Sequence, residues 1–347
     1  MSDKRYTKVI EEAIIKKNLP TLSGHNTRSN DTTIPRPVYF NISVSLDLKF
    51  DPSLEKTYLQ QIYKAPFKVG EGSFGVVWKA KHNVNKKTFA IKQFKTPLSS
   101  NEIYREIRNN ERVGIHQNCV KYYMAWEECG EVYMMMEACQ MSLMEFSTKN
   151  EVKEQIMWDC LYDICKALKF LHEKLLVHGD VKVTNIMLYG TYFKLADFGT
   201  MIDLNVQPES TTQKLTLTKG RSTRNQKSKI KFTRDILDLA TTLVDLISLY
   251  STVELDFNRS QQRERDYDAL LIMYSDSFRA IIKRIVGTDF ITPPTAQEII
   301  SSNHMKATAR RWERGLRTVY TVDCCTGQGV LIEVPKFIRH YISVLNV

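Results

Sequence analysis

The stretch LLVHGDVKVTNIMLYGTYFKLADFGT concentrates more chemistry than any other part of the chain. It carries His178, Asp180, Lys182 and Asn185 in the spacing H-x-D-x-K-x-x-N, then Asp197, Phe198 and Gly199 as D-F-G. Asp180 can take the proton of a hydroxyl group. Lys182 can neutralise charge on a γ-phosphoryl group. Asn185 and Asp197 offer hard oxygen ligands suited to Mg2+. Upstream, KVGEGSFGVVWKA sets Gly70, Gly72, Gly75 and Val77 in the pattern G-x-G-x-x-G-x-V. Glycines let a backbone approach phosphate closely and turn its amides toward it. A dinucleotide-binding fingerprint shares that spacing but continues into a helix. Here VVWKAKH follows, a strand, which favours a glycine-rich hairpin over nucleotide phosphates. The run FAIK then ends on Lys92, which can reach α- and β-phosphates if a carboxylate holds it. Glu102 and Glu106 lie one helical turn apart on one face, and spacing alone does not separate them. Together these groups equip a chain to move a phosphoryl group.

The elements that must position them read as two textures. Between Tyr63 and Glu137 come short strand-like runs, FKVG, FGVVWKAKH, KTFAIKQF, VKYYMAWEE and EVYMMMEA, interrupted by the polar helical stretch NEIYREIRNNERV. From Met141 onward helical patterns dominate. EQIMWDCLYDICKALKFLHEK puts Ile156, Cys160, Ile164, Leu168 and Leu171 on one face, and DILDLATTLVDLISLY does the same with Ile236, Leu239, Leu243 and Leu246. Strands first and helices later predict an α+β protein with a β-rich N-lobe at 61–140 and a helical C-lobe at 141–310. Residues 1–60 are polar, with a short helix expected near Tyr6–Lys17 and prolines at 20, 35 and 37, and read as an extension. The tail, 311–347, holds GVLIEV and FIRHYISV, which can add a strand or cap the C-lobe but are too short to anchor a membrane.

The chain has 347 residues, enough for a substantial core, with 43% apolar and 25% charged residues, as in soluble globular proteins. No apolar signal core opens the sequence, and no run of eighteen apolar residues is present. The seven cysteines include no CxxC pair, which points to a reduced compartment, cytoplasmic or nuclear, and to no zinc site. The net charge of +10 is local, because eight bases fall between Lys214 and Arg234. That run suits an acidic partner surface; no nucleic-acid partner is expected.

The motif set, in order and each in its expected element, resembles that of protein kinases. A narrower resemblance surrounds it. The stretch KTPLSSNEIYREIRNNERVGIHQNCVKYYMAWEECGEVYMMMEACQMSL, together with HGDVKVTNIML, resembles the Wee/Myt-type kinases that inhibit cyclin-dependent kinases, especially their membrane-associated tyrosine- and threonine-directed branch. The resemblance covers about Tyr63 to Asn303. It implies ATP and Mg2+ as cofactors, Asp180 and Lys182 as catalytic residues, and Asn185 and Asp197 as metal ligands. It makes Glu106 the partner of Lys92 and Met136 the gatekeeper, and it places Ala90, Glu137 and the hinge residue Cys139 in the nucleotide pocket. It also implies a cyclin-dependent kinase complex as protein substrate, phosphorylated on a neighbouring threonine and tyrosine to delay mitotic or meiotic entry.

The departures are local. Gly179 stands where many kinases carry an arginine that binds a phosphorylated activation loop, and family members lack that arginine too. Thr200 follows D-F-G where leucine is more usual. The A-P-E motif is missing. If Asp235 aligns with the aspartate that opens the long helix of the C-lobe, the A-P-E slot falls near Ser222, Thr223 and Arg224. The arginine that normally pairs with its glutamate is replaced around Pro293 and Pro294, so both partners are gone together. KGRSTRNQKSKIKFTRD then occupies the activation segment and is expected to be a mobile basic run. Three readings follow: an active Wee/Myt-like kinase, a nucleotide-binding pseudokinase or scaffold, and an active kinase with a different protein substrate.

Overall fold

The structure, a computed structural model, describes residues 34–95, 99–206, 224–249, 269–287, 293–313, 317–322 and 329–334. The chain divides into two compact units: residues up to Gly114 together with Lys121–Ala138, and Ile115–Val120 together with Cys139 onward.

The first unit is built on β1 (Arg36–Val38), α1 (Tyr58–Ile62), β2 (Tyr63–Glu71), β3 (Gly75–His82), β4 (Thr88–Phe94), α2 (Ser100–Val113), β5 (Tyr122–Glu128) and β6 (Glu131–Glu137). The strands form one antiparallel sheet in the order β1-β5-β6-β4-β3-β2. Side chains alternate across a strand, so the sheet has two apolar faces. One packs Phe94, Ala125, Val132 and Met134 against Ile103 and Ile107 of α2. The other buries Tyr63, Ile91, Met124, Trp126 and Met135 with Tyr58 and Ile62 of α1, and Val44, Leu46 and Phe50 pack against it. Residues 36–62 are therefore part of this unit rather than a loose polar extension. Their apolar residues are spaced too widely for a periodic signal, and they become legible only against the sheet that they cover. The helix expected near Tyr6–Lys17 lies outside the described residues.

The second unit contains β7 (Met141–Ser142), α3 (Leu143–Lys149), α4 (Glu154–Glu173), β8 (Leu176–Val177), β9 (Ile186–Tyr189), β10 (Tyr192–Leu195), β11 (Ile202–Asp203), α5 (Arg224–Ser248), α6 (Asp276–Val286), α7 (Ala296–Ile300), α8 (Asn303–Glu313), β12 (Arg317–Val322) and β13 (Gly329–Val334). The stripe Ile156, Cys160, Ile164, Leu168 and Leu171 of α4 is buried, as is Ile236, Leu239, Leu243 and Leu246 of α5. β12 and β13 pair as an antiparallel hairpin, so GVLIEV supplies a strand; FIRHYISV lies outside the described residues. No helix among the described residues is long and apolar enough to cross a membrane.

The basic run behaves differently from the expectation of a mobile segment ending at Arg234. From Arg224 the chain is one continuous helix, so Asp235 sits about three turns inside α5 rather than opening it. NQKSKIKFTR contains no glycine or proline, and its glutamine, lysines and arginine are good helix formers. Phe232 stacks on His172 of α4, with ring centroids 4.4 Å apart, and fixes this extra length to the unit. Residues 207–223, with Ser222 and Thr223 of the A-P-E slot, lie outside the described residues. Pro293 and Pro294 lead into the Thr295 cap of α7, whose capping box closes on Glu298.

Candidate active site

Within the first unit, β2 and β3 form the glycine hairpin, with Gly70 opposite Val77 and the Gly72 N–H donating to the Gly75 carbonyl at 2.9 Å. Gly75 is required sterically: a Cβ there would run into the backbone of Gln93 on β4. Gly70 and Gly72 face open space, where glycine leaves the backbone bare for a ligand. The Lys68 and Lys95 ammonium groups bond the Glu71 carboxylate between them and hold it down to about 2. Val77 is in register with Lys92, and Ala90 with Met136, across neighbouring strands. The Glu137 N–H donates to the Lys121 carbonyl at 2.8 Å.

The choice between the two glutamates is resolved by capping chemistry. Ser99 caps α2, and the Glu102 carboxylate turns back to accept from the Ser99 N–H at 3.0 Å and its hydroxyl at 2.9 Å. Glu102 is thus committed to the helix start. Glu106, one turn on and buried, accepts from Lys92 Nζ at 2.6 Å. Both partners are about nine-tenths buried, which makes the ion pair strong only while both remain.

Within the second unit, a hairpin and a short ladder bring the remaining residues together. β9 and β10 pair with Ile186 opposite Leu195, and the Ala196 N–H donates to the Asn185 carbonyl at 2.9 Å. The open end of that hairpin therefore carries Asn185 beside the residue preceding Asp197. β8 pairs with β11, which closes the loop from His178 to Asn185 on its other side. Asp180 Oδ2 lies 2.7 Å from Lys182 Nζ and 3.0 Å from Asn185 Nδ2. Asn185 Nδ2 also donates to the Asp180 carbonyl at 2.9 Å, which commits the amide nitrogen and leaves Asn185 Oδ1 as the oxygen free to bind a cation. Asp197 has φ 64°, a left-handed backbone that aspartate tolerates better than most residues and that recurs at functional positions. Cys139 is buried at the start of this unit.

Three further residues hold the loop, and motif spacing did not single out their roles. Asp235, fully buried on α5, accepts from the His178 N–H at 2.9 Å, the Gly179 N–H at 2.8 Å and His172 Nε2 at 2.8 Å. Thr242, seven residues on, shares its hydroxyl proton between the Val181 carbonyl at 3.2 Å and the Asp238 carbonyl at 2.6 Å. The Thr200 hydroxyl donates to the His178 carbonyl at 3.1 Å, tying the D-F-G end to the loop. Gly179 takes φ 79°, a backbone that L side chains rarely adopt, while a Cβ there would only touch the Thr200 carbonyl at 3.4 Å. The glycine in place of arginine thus suits the local backbone. The signal for Asp235 was present: a carboxylate four residues before Leu239, on the apolar stripe of its helix, needs buried donors.

Protonation follows burial. His178 is completely buried; burial holds its imidazole below the ordinary value, while Asp235 and the Ala196 carbonyl oppose that shift. The neutral ring is used on both sides, since Nδ1 accepts from the Asp180 N–H at 3.2 Å and Nε2 faces the Ala196 carbonyl at 3.0 Å. His116, stacked on Phe170 at 4.5 Å, is pushed down to about 4 by burial and then by Lys166, Lys194, Lys174 and Lys169. Below about pH 6.5 the unfolded histidines bind protons that the folded ones refuse, so the stability present above that pH is lost as pH falls toward 4. In urea titrations, His116→Phe is expected to lose less stability than wild type between pH 7 and pH 5, by at most one proton's worth of slope. Equal losses would refute the assignment.

Known proteins resemble this chain in sequence. The chain is 33% identical over 160 residues to the membrane-associated tyrosine- and threonine-specific cdc2-inhibitory kinase wee-1.3 of Caenorhabditis elegans, covering 45% of this chain and 24% of that one. It is 32% identical over 186 residues to the membrane-associated tyrosine- and threonine-specific cdc2-inhibitory kinase of Drosophila melanogaster, covering 51% and 33%. It is 27% identical over 261 residues to the Wee1-like protein kinase of Oryza sativa subsp. japonica, covering 72% and 49%. The chain thus spans between a quarter and a half of the length of these relatives. The model of the protein kinase domain matches residues 63–305, most of the chain, and with the paired Lys92 and Glu106, the Asp180 loop and the D-F-G turn in place, this chain belongs to the protein kinase family.

Proposed function

We propose that the chain is an ATP- and Mg2+-dependent protein kinase that phosphorylates a cyclin-dependent kinase on tyrosine or threonine and so delays mitotic or meiotic entry. The observation that carries the activity is the formed Lys92–Glu106 pair at 2.6 Å, with Glu102 committed elsewhere. The substrate rests on similarity to kinases described as cdc2-inhibitory. In this reading Lys92 neutralises the α- and β-phosphates, and the hairpin glycines cover them. Asp180 accepts the proton of the substrate hydroxyl as its oxygen bonds to the γ-phosphorus. The bond from that phosphorus to the bridging oxygen breaks, and ADP leaves with the electron pair. Lys182 neutralises charge on the moving group. Asn185 Oδ1 and Asp197 suit Mg2+, which when bound would neutralise phosphate charge. Lys214 to Arg234 would meet an acidic face of the partner, and salt would weaken that encounter. Five free cysteines among the described residues fit a cytoplasmic or nuclear setting.

The test is transfer from radiolabelled ATP to a cyclin-dependent kinase–cyclin complex at low and high salt. Labelling of tyrosine or threonine on the complex supports the proposal. Nucleotide binding without transfer replaces it with a pseudokinase, and transfer only to other proteins replaces the substrate. Within the same assay, Lys92→Met and Glu106→Gln are expected to lower transfer alike, by about 10²-fold, because either change strands a buried charge and loses a fixed electrostatic contact. Glu102→Gln should retain activity within a few-fold, since it weakens only a helix cap. Equal losses at 102 and 106 would sink the assignment.

A further inference from the structure

Helix α2 is held to the sheet by an apolar stripe, which sets the helix rotation only coarsely, because hydrophobic contact is non-directional. At roughly 100° per residue, Ile103 and Ile107 form the sheet-facing line, with Glu106 on one flank and Tyr104, Arg108 and Glu111 on the other. The first flank is tied to Lys92. The second is tied to the segment that follows β1. The Glu111 carboxylate accepts from the Phe40 N–H at 3.0 and 3.1 Å through its two oxygens, and from the Asn41 N–H at 2.7 Å. The Phe40 ring lies 4.5 Å from the Arg108 guanidinium carbon and meets the Tyr104 ring edge-on at 6.1 Å. β1 itself is paired to β5, with Arg36, Pro37 and Val38 opposite Glu127, Trp126 and Ala125, and Val38 packs on the cluster that contains Ile103 and Ile107. One short segment thus joins the sheet edge to the outer flank of α2.

Glu111 has no reason of its own to be acidic. It sits in the last turn of α2, where a negative charge opposes the helix dipole, and it is only 5% exposed. Its two N–H donors, one of them shared between both carboxylate oxygens, offset that cost, and charge-assisted contacts of this kind are both strong and directional. We propose that residues 36–41 are a positioning clamp for α2, in which Glu111, Arg108 and Phe40 set the helix rotation at which Glu106 meets Lys92. Glu111 and Phe40 act here as positioning residues. This rests on the reading of Lys92 and Glu106 as the nucleotide-phosphate pair, but its test requires no phosphoryl transfer.

The experiment compares the full chain with Phe40→Ala, Glu111→Gln and Phe40→Tyr by hydrogen exchange read on α2 and α4, and by acylation of the Lys92 amine measured by mass spectrometry. Phe40→Ala and Glu111→Gln are expected to speed exchange in α2 about tenfold and to raise Lys92 labelling several-fold, with α4 unchanged. Phe40→Tyr, which keeps a ring over Arg108, should match wild type. Exchange in α2 that stays within twofold of wild type in both variants overturns the clamp, as does a loosened α2 with Lys92 labelling unchanged. If Glu111→Gln fails to fold, Phe40→Ala decides, because that side chain is 37% exposed and its loss leaves the core intact. A chain that binds nucleotide without transferring phosphate still gives either result, so failure of the clamp and failure of the proposed activity are distinguishable.

Discussion

Asp180→Asn is expected to lower phosphoryl transfer by about 10³-fold while leaving nucleotide affinity within a few-fold of wild type. The substitution is nearly isosteric. Asp180 Oδ2 contacts Lys182 Nζ at 2.7 Å and Asn185 Nδ2 at 3.0 Å, and an amide oxygen can take over one such contact. It cannot take the proton of a substrate hydroxyl at neutral pH, and neither of the two groups that contact Asp180 Oδ2 can take it instead. Lys182 is cationic, and the Asn185 amide nitrogen is already a donor. Lys92, the proposed phosphate contact, and its partner Glu106 belong to the other unit and keep their bond. The measurement is kcat from radiolabelled ATP alongside equilibrium binding of a non-hydrolysable ATP analogue. A kcat within threefold of wild type would remove Asp180 as the base. A loss of nucleotide affinity equal to the loss of kcat would make it a binding residue instead.

What the sequence disclosed depended on the range over which each residue works. His178, Asp180, Lys182, Asn185 and Asp197 lie within one loop and one hairpin, so their short spacing in sequence already groups them as a candidate site. The alternating strands and the helical stripes of α4 and α5 were legible for the same reason, since burial follows a local period. The partner of Lys92 was not separable by period, because Glu102 and Glu106 share a face. The deciding signal was a different local rule, the Ser99-x-x-Glu102 capping box, which assigns the first glutamate to the helix start. The clamp at 36–41 was illegible: a three-residue edge strand containing a proline has no period, and its meaning lies in contacts made some seventy residues away. The helical start of α5 was misread because a run of bases was weighed by its charge. Its lack of helix breakers and the stacking of Phe232 on His172 decide its conformation.

Asp235→Ala is expected to destabilise the second unit by about 3 kcal/mol or more, and to remove most phosphoryl transfer even where the fold persists. The carboxylate is wholly buried and accepts two backbone N–H groups, those of His178 and Gly179, together with His172 Nε2. Alanine leaves both backbone donors without their acceptor inside the protein, and each orphaned buried donor costs on the order of 1–3 kcal/mol. The two amides belong to the residues immediately before Asp180, so the same loss frees the loop that aims the proposed base. Asp235→Asn separates the two effects. Its single carbonyl oxygen can serve one amide while its own NH2 faces the other, so stability should fall less than in the alanine variant while transfer falls in both. His172→Ala is the control: it removes the third contact and the ring on which Phe232 stacks, leaves both amides satisfied, and should still cost less of either property. Urea midpoints with hydrogen exchange over residues 176–181 would read the stability, and kcat the alignment. If Asp235→Ala unfolds within 0.5 kcal/mol of wild type, or if His172→Ala equals it, the loop is not anchored through this carboxylate, and its aim must come from the β8–β11 ladder and the Thr200 hydroxyl instead.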